Sequence, residues 1–251
     1  MKHVLSASPA DHPLSRLDPR VKLLTAGALL VMVISCTGGL FPLLAAILSL
    51  GIVVSLGVPL RLILLRFAEP AFIAVVVLLL KLFFSGGTPL LTLQLPWLEL
   101  TAYREGLREG LLIAGRIAAA VSVVSAVGFS TSFTDLMAAL AWLRVPRSFI
   151  EVALFAWRYL FLLLDDAQVI HAAQRNRLGY SGLRRGMRSF GTLAGALVLK
   201  AFDNSQTITT AMVQRGYDGN LPLFRHRPFR PAEVVLSALF VVAMGTLWGM
   251  Q

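Results

Sequence analysis

One cysteine, four histidines and thirteen carboxylates in 251 residues leave this chain short of the groups that most protein chemistry needs. With Cys36 alone, at the end of an apolar run, neither a disulfide framework nor a thiolate metal cluster can form. His3, His12, His171 and His226 are scattered, and none has a histidine partner at helical spacing. No His-Glu-x-x-His helix, Gly-x-Ser-x-Gly turn or Walker loop occurs, so the common hydrolase and nucleotide-binding signatures are excluded. Asp165-Asp166 is the one adjacent carboxylate pair, and it reads as the hydrated end of the apolar stretch Leu160–Leu164 rather than as a metal site. We therefore expect no catalytic residue, no metal ligand and no cofactor site in this chain.

Charge is also scarce. Only 14% of residues are charged while 57% are hydrophobic, and the mean hydropathy is +0.75, far from the balance of a soluble domain. This is the composition of a polytopic membrane protein. The net charge of +10 fits that class, because Lys and Arg set topology and meet anionic lipid headgroups; nucleic acid is not expected as a partner. The first 20 residues are polar, and no cleavable signal is expected.

What is present divides the chain into three parts, 1–129, 130–231 and 232–251. The first begins with a polar arm that closes on Arg16-Leu17-Asp18-Pro19-Arg20-Val21-Lys22. Asp18 as N-cap and Pro19 at the first helical position form a helix start, with Arg16, Arg20 and Lys22 as a positive-inside flank. Apolar runs over 21–36 and 40–56, joined by Thr37-Gly38-Gly39, read as a transmembrane hairpin. A third span is expected over 67–84, with Glu69 and Lys81 near enough to its ends to snorkel. Residues 85–103, with two runs of leucine, suggest an interfacial segment at the outer surface. A fourth span over 106–129 is rich in Gly, Ala and Ser, the small residues that let membrane helices pack closely, and it carries Arg116.

The second part holds 13 of the 23 Lys and Arg residues, which places it in the cytoplasm by the positive-inside rule. Its apolar runs, 149–164 and 190–202, would carry Arg175, Arg177, Arg184, Arg185 and Arg188 to the outside if both crossed. Phe149, Val152, Ala156, Leu160, Leu163, Ala167 and Ile170 instead form a stripe at helical spacing, and the runs read as long amphipathic helices at the membrane surface. A last span, 232–250, completes an all-α membrane protein of about five transmembrane helices plus long amphipathic cytoplasmic helices, with the N-terminus inside.

One string occurs twice. Ala172-Ala173-Gln174-Arg175-Asn176-Arg177-Leu178-Gly179-Tyr180-Ser181-Gly182 and Ala211-Met212-Val213-Gln214-Arg215-Gly216-Tyr217-Asp218-Gly219 both run into an arginine and then Gly-Tyr-x-Gly. The plain reading is a helix end at which the arginine complements the terminus and the glycine supplies a left-handed cap. Two such tips on one basic face are a candidate grip for another protein.

With these strings and the Arg16–Lys22 motif, nearly the whole chain resembles the transmembrane (T) component of energy-coupling factor (ECF) transporters, most closely the cobalt-type CbiQ family. That family carries two Ala-Arg-Gly motifs at the tips of two coupling helices, each held by a cytoplasmic ATPase. Here the second motif reads Gln214-Arg215-Gly216, and the first reads Asn176-Arg177-Leu178 or, with one inserted residue, Arg177-Leu178-Gly179. The resemblance implies a non-catalytic subunit of the cytoplasmic (inner) membrane, with two ABC ATPase subunits as partners that bind ATP and Mg. It further implies a substrate-binding membrane subunit (CbiM-like) that would hold Co2+ or Ni2+, and a small accessory membrane protein (CbiN-like). A T component serving a vitamin such as biotin is an alternative, as is, more remotely, an integral-membrane enzyme or autonomous channel.

Overall fold

The computed structural model of the chain describes residues 17–95, 98–217 and 231–250. In order, these form helices α1 (Pro19–Ser35), α2 (Leu40–Ser55) and α3 (Leu60–Phe84), strands β1 (Pro89–Leu95) and β2 (Leu98–Tyr103), and then α4 (Arg104–Ser130), α5 (Phe133–Trp142), α6 (Arg147–Asn176), α7 (Leu183–Gln214) and α8 (Pro231–Gly249). The chain is thus an all-α membrane protein with one added β-hairpin. Among the described residues α3, α4 and α8 are long and apolar enough to cross a membrane, and α2 is apolar but shorter.

Two elements differ from expectation. The third span starts at Leu60 rather than 67, directly after Pro59, so Arg61 and Arg66 belong to the helix. At about 1.5 Å per residue, its 25 residues exceed the roughly 30 Å hydrocarbon core. Backbone hydrogen bonding carries a helix past the end of its apolar run, and both arginines are exposed on it. The leucine runs of 85–103 form an antiparallel hairpin that pairs Leu93 with Leu100 and Leu95 with Leu98. Strands of seven and six residues are too short for stable helices, and pairing with each other satisfies their backbone groups.

The chain divides into two compact units, one of residues 1–139 and 227–251 and the other of residues 140–226. In the first, α4 is the central helix, packed against α1, α2 and α3, while α8 packs on α1. Its core joins Leu29, Val33 and Cys36 of the α1 segment, Phe41 and Ala45 of α2, Ala119 and Val123 of α4, and Met244 of α8. Without a hydrophobic drive between helices in lipid, close approach has to come from small residues, and α4 supplies them. A Cβ at Gly106 would collide with the backbone carbonyls of Lys81 and Ser85, and one at Gly110 would lie 3.1 Å from the Cα of Leu78.

Several charges inside the spans have partners on a neighbouring helix or cap. Lys81 Nζ donates to Glu109 Oε2 at 2.9 Å, joining α3 to α4. Arg66 lies over the Phe129 ring at 5.3 Å. Arg116 of α4 donates through Nη2 to the carbonyl of Cys36, the C-cap of α1. The outer faces are apolar and uncovered, with Phe72, Leu64 and Ile34 each about 70% exposed, a surface that needs hydrocarbon around it.

In the second unit α6 and α7 pack on one another. Lys200 Nζ donates to Asp166 Oδ1 at 2.6 Å between them. The predicted apolar stripe of α6 is open over its first half, with Phe149 59% and Val152 67% exposed, while Leu163, Ala167 and Ile170 are half-buried.

The packing of α3 on α4 generates the first prediction. Gly106→Ala forces the Lys81–Ser85 backbone away from α4 and costs about 1–3 kcal/mol, lowering the melting temperature in detergent. Gly115→Ala, where the new Cβ meets nothing within 4 Å, leaves it unchanged or raises it slightly. Differential scanning fluorimetry of the two variants checks this.

Candidate functional site

The repeated string forms two helix ends of nearly identical backbone geometry. At the end of α6, Arg177 is the C-cap residue. The next two amides reach back over it: Leu178 N donates to Arg175 O at 3.0 Å and Gly179 N to Gln174 O at 2.9 Å. At the end of α7, Arg215 is the C-cap, with Gly216 N donating to Val213 O at 3.0 Å and Tyr217 N to Met212 O at 3.0 Å. Both are Schellman turns, which close the free carbonyls of a helix with main-chain donors.

The left-handed residue differs between them. At the second tip it is Gly216, φ 82°, as the sequence predicts. At the first it is Leu178, φ 56°, and not Gly179, which corrects the expectation that a glycine caps both helices. For a leucine this conformation costs about 1–2 kcal/mol. Gly179 is needed for another reason: a Cβ there would lie 2.7 Å from Ser189 Oγ and 2.9 Å from Gln174 O.

That close approach belongs to a brace which sequence reasoning missed. The Gln174 amide donates to Ser189 O at 2.9 Å and to Thr192 Oγ1 at 3.0 Å, and its carbonyl accepts from the Tyr180 hydroxyl at 2.8 Å. Ser189 Oγ donates to Gly179 O at 2.9 Å, and the His171 and Tyr180 rings lie 4.8 Å apart. The turn after α6 is thereby fastened to the first three turns of α7. The tyrosine of the repeated Gly-Tyr-x-Gly was the visible signal; Gln174, Ser189 and Thr192 gave none.

Asn176, Arg177, Gln214, Arg215 and Gly216 are exposed, and Gly179 is half-buried. Neither guanidinium, of Arg177 or of Arg215, has a hydrogen bond or ion pair among the described residues. Asp218 and Gly219 of the second string lie outside the described residues, as does Arg16.

The N-terminal motif is a joint. Asp18 Oδ1 accepts from Arg20 N at 3.0 Å, the expected cap, with Pro19 in the first turn. Asp18 N donates to Glu233 Oε2 of α8 at 2.9 Å, and Lys22 Nζ donates to Ser130 O at the end of α4 at 2.9 Å. Arg20 is buried, its Nε 3.9 Å from Asp18 Oδ1. The motif therefore ties α1 to α4 and α8. Among the described residues no group of three or more His, Cys, Asp or Glu could hold a metal ion.

A family model described as cobalt transport protein, CbiQ, matches residues 10–224. The chain belongs to the CbiQ family. Across 95% of its length it is 28% identical to an energy-coupling factor transporter transmembrane protein, EcfT, of Bacillus selenitireducens, covering 93% of that protein. It is 29% identical to the cobalt transport protein CbiQ of Rhodobacter capsulatus over 58% of this chain and 60% of that one. An uncharacterized protein of Methanocaldococcus jannaschii is 26% identical over 90% of this chain and 85% of its own. The chain is thus the T component of an ECF transporter, a membrane protein with relatives named as transporter components.

The brace gives a second prediction. Gln174→Ala removes three hydrogen bonds from this CbiQ-family chain at once and costs about 1–3 kcal/mol. Amide exchange of 177–186 quickens while that of α1–α4 stays as it was, as read by hydrogen–deuterium exchange mass spectrometry.

Proposed function

We propose that Arg177 and Arg215 each grip one of two cytoplasmic ATPase subunits, and that this chain passes the ATP-driven motion of those subunits to a separate substrate-binding membrane subunit of a cobalt or nickel importer. One observation carries the reading. Each arginine stands at the C-terminus of a long helix whose last carbonyls already accept from backbone amides, so neither guanidinium is needed to cap its own helix. A guanidinium so released can make bidentate, charge-assisted bonds to a carboxylate on a partner, which a lysine cannot reproduce.

The gathering of basic residues in 130–231 supports tips that face the cytoplasm, the family resemblance supports the inner membrane, and in this reading Asn176 and Gln214 flank the contact. ATP and Mg reside in the ATPases. A chain in which no group of three or more His, Cys, Asp or Glu gathers among the described residues fits a scaffold whose partner, CbiM-like, holds the ion, with a CbiN-like protein beside it. The family description and the CbiQ relative support a metal substrate. The nearly full-length similarity to an EcfT protein, whose name gives no substrate, keeps a T component serving a vitamin such as biotin as the second reading.

Arg177→Ala and Arg215→Ala each reduce ATPase retention and uptake, by about 2–5 kcal/mol of interface energy for a desolvated pair. Lys rescues poorly at either position, and the double variant is worse than both. The measurement is pull-down of the ATPases with Co2+, Ni2+ and biotin uptake in cells, at matched expression. Full coupling in the double Ala variant contradicts the proposal.

A further inference from the structure

We propose that Leu178 is a second contact residue of the first tip, seating in an apolar pocket beside the carboxylate that Arg177 engages, and that it makes the two tips non-interchangeable. This rests on the coupling role proposed for Arg177.

The argument starts from an unrewarded strain. Leu178 occupies the left-handed region, φ 56°, where glycine or asparagine is at ease and leucine is not. The equivalent position of the second tip holds Gly216, φ 82°, with the same two backbone bonds, so a glycine would build the first turn equally well. Nothing inside the described chain repays the leucine: its side chain is 70% exposed. Strain of this kind persists where the surroundings over-determine it, and it points to function.

The surroundings here do over-determine it. Gly179 cannot accept a side chain, and Gln174, Tyr180 and Ser189 fasten the turn on both sides of Leu178. The same brace fixes the direction in which the neighbouring residues 177 and 178 leave the backbone. Tyr180 also lines an open apolar groove of about 550 Å³ with Leu183, Met187 and Phe190. The first tip therefore offers a cation flanked by apolar surface, while the second offers a cation followed by a bare glycine. The ATPase surface that takes the first tip pairs a carboxylate with an apolar pocket.

The test uses the whole transporter carrying Arg215→Ala, so that ATPase retention depends on the first tip. Leu178→Asn removes the apolar side chain and tolerates the left-handed backbone; Leu178→Gly does the same without a side chain, and Arg177→Ala is the reference. Two quantities are read: the melting temperature of the purified chain in detergent, and the ATPase retained on pull-down. We expect Leu178→Asn to melt at or above its parent and to retain about tenfold less ATPase, the loss of one buried leucine, with Leu178→Gly retaining equally little. A lower melting temperature for Leu178→Asn, or unchanged ATPase retention in both variants while Arg177→Ala loses it, overturns the inference and leaves the coupling role intact. Unchanged retention in Arg177→Ala as well overturns the coupling role, and this inference with it.

Discussion

Every α-helix ends with carbonyls that have no partner within the helix, and the way this chain closes those ends organises the rest of it. Around a bilayer the constraint is severe, because no water reaches the hydrocarbon to satisfy them. At the end of α1 a side chain from another helix does the work: Arg116 of α4 donates to the Cys36 carbonyl, and a charge in a span becomes a clasp between helices. At the ends of α6 and α7 the main chain folds back over itself. There the arginine is left over, exposed and available. The same residue type is structural in one place and, among the described residues, exposed without a bond of its own in two others, and the closure of the helix end makes the difference.

The membrane unit is consistent with a scaffold. Its polar groups hold helices to each other: Lys81 with Glu109, Lys22 with Ser130, and Asp18 with Glu233. Gly106 and Gly110 let α4 approach α3 to backbone contact. What remains on the outside is apolar. A chain built this way has polar joints but, among the described residues, no group of three or more His, Cys, Asp or Glu that could hold a metal ion.

Most of this was legible in the sequence where periodicity and end signals coincide. Asp18-Pro19 announced the start of α1, and the basic residues of 130–231 separated two amphipathic helices from the spans despite runs as apolar as 149–164. The misses have physical causes. Arg61 and Arg66 fell outside the span expected over 67–84 because hydropathy marks where a helix leaves hydrocarbon, not where its hydrogen bonds stop. The 89–103 hairpin was hidden because short leucine-rich runs suit a strand or an interfacial helix equally, and pairing decides between them. Gly179 was taken for the cap because glycine is the usual left-handed residue; the close contact with Ser189 that claims it comes from α7, ten residues on, and no local rule reports it. Arg116 could be flagged as a charge in a span, but its partner is a backbone carbonyl, which leaves no mark in a sequence.

The central claim is that the two Schellman tips are where the ATPases hold this chain, and site-specific photocrosslinking in cells tests it most directly. A photoreactive amino acid at Asn176 or at Gln214, each beside its arginine and exposed, captures an ATPase subunit from both positions if the account is right, with the products identified by mass spectrometry. Capture of lipid or of other membrane subunits from both positions, with no ATPase product from either, contradicts it.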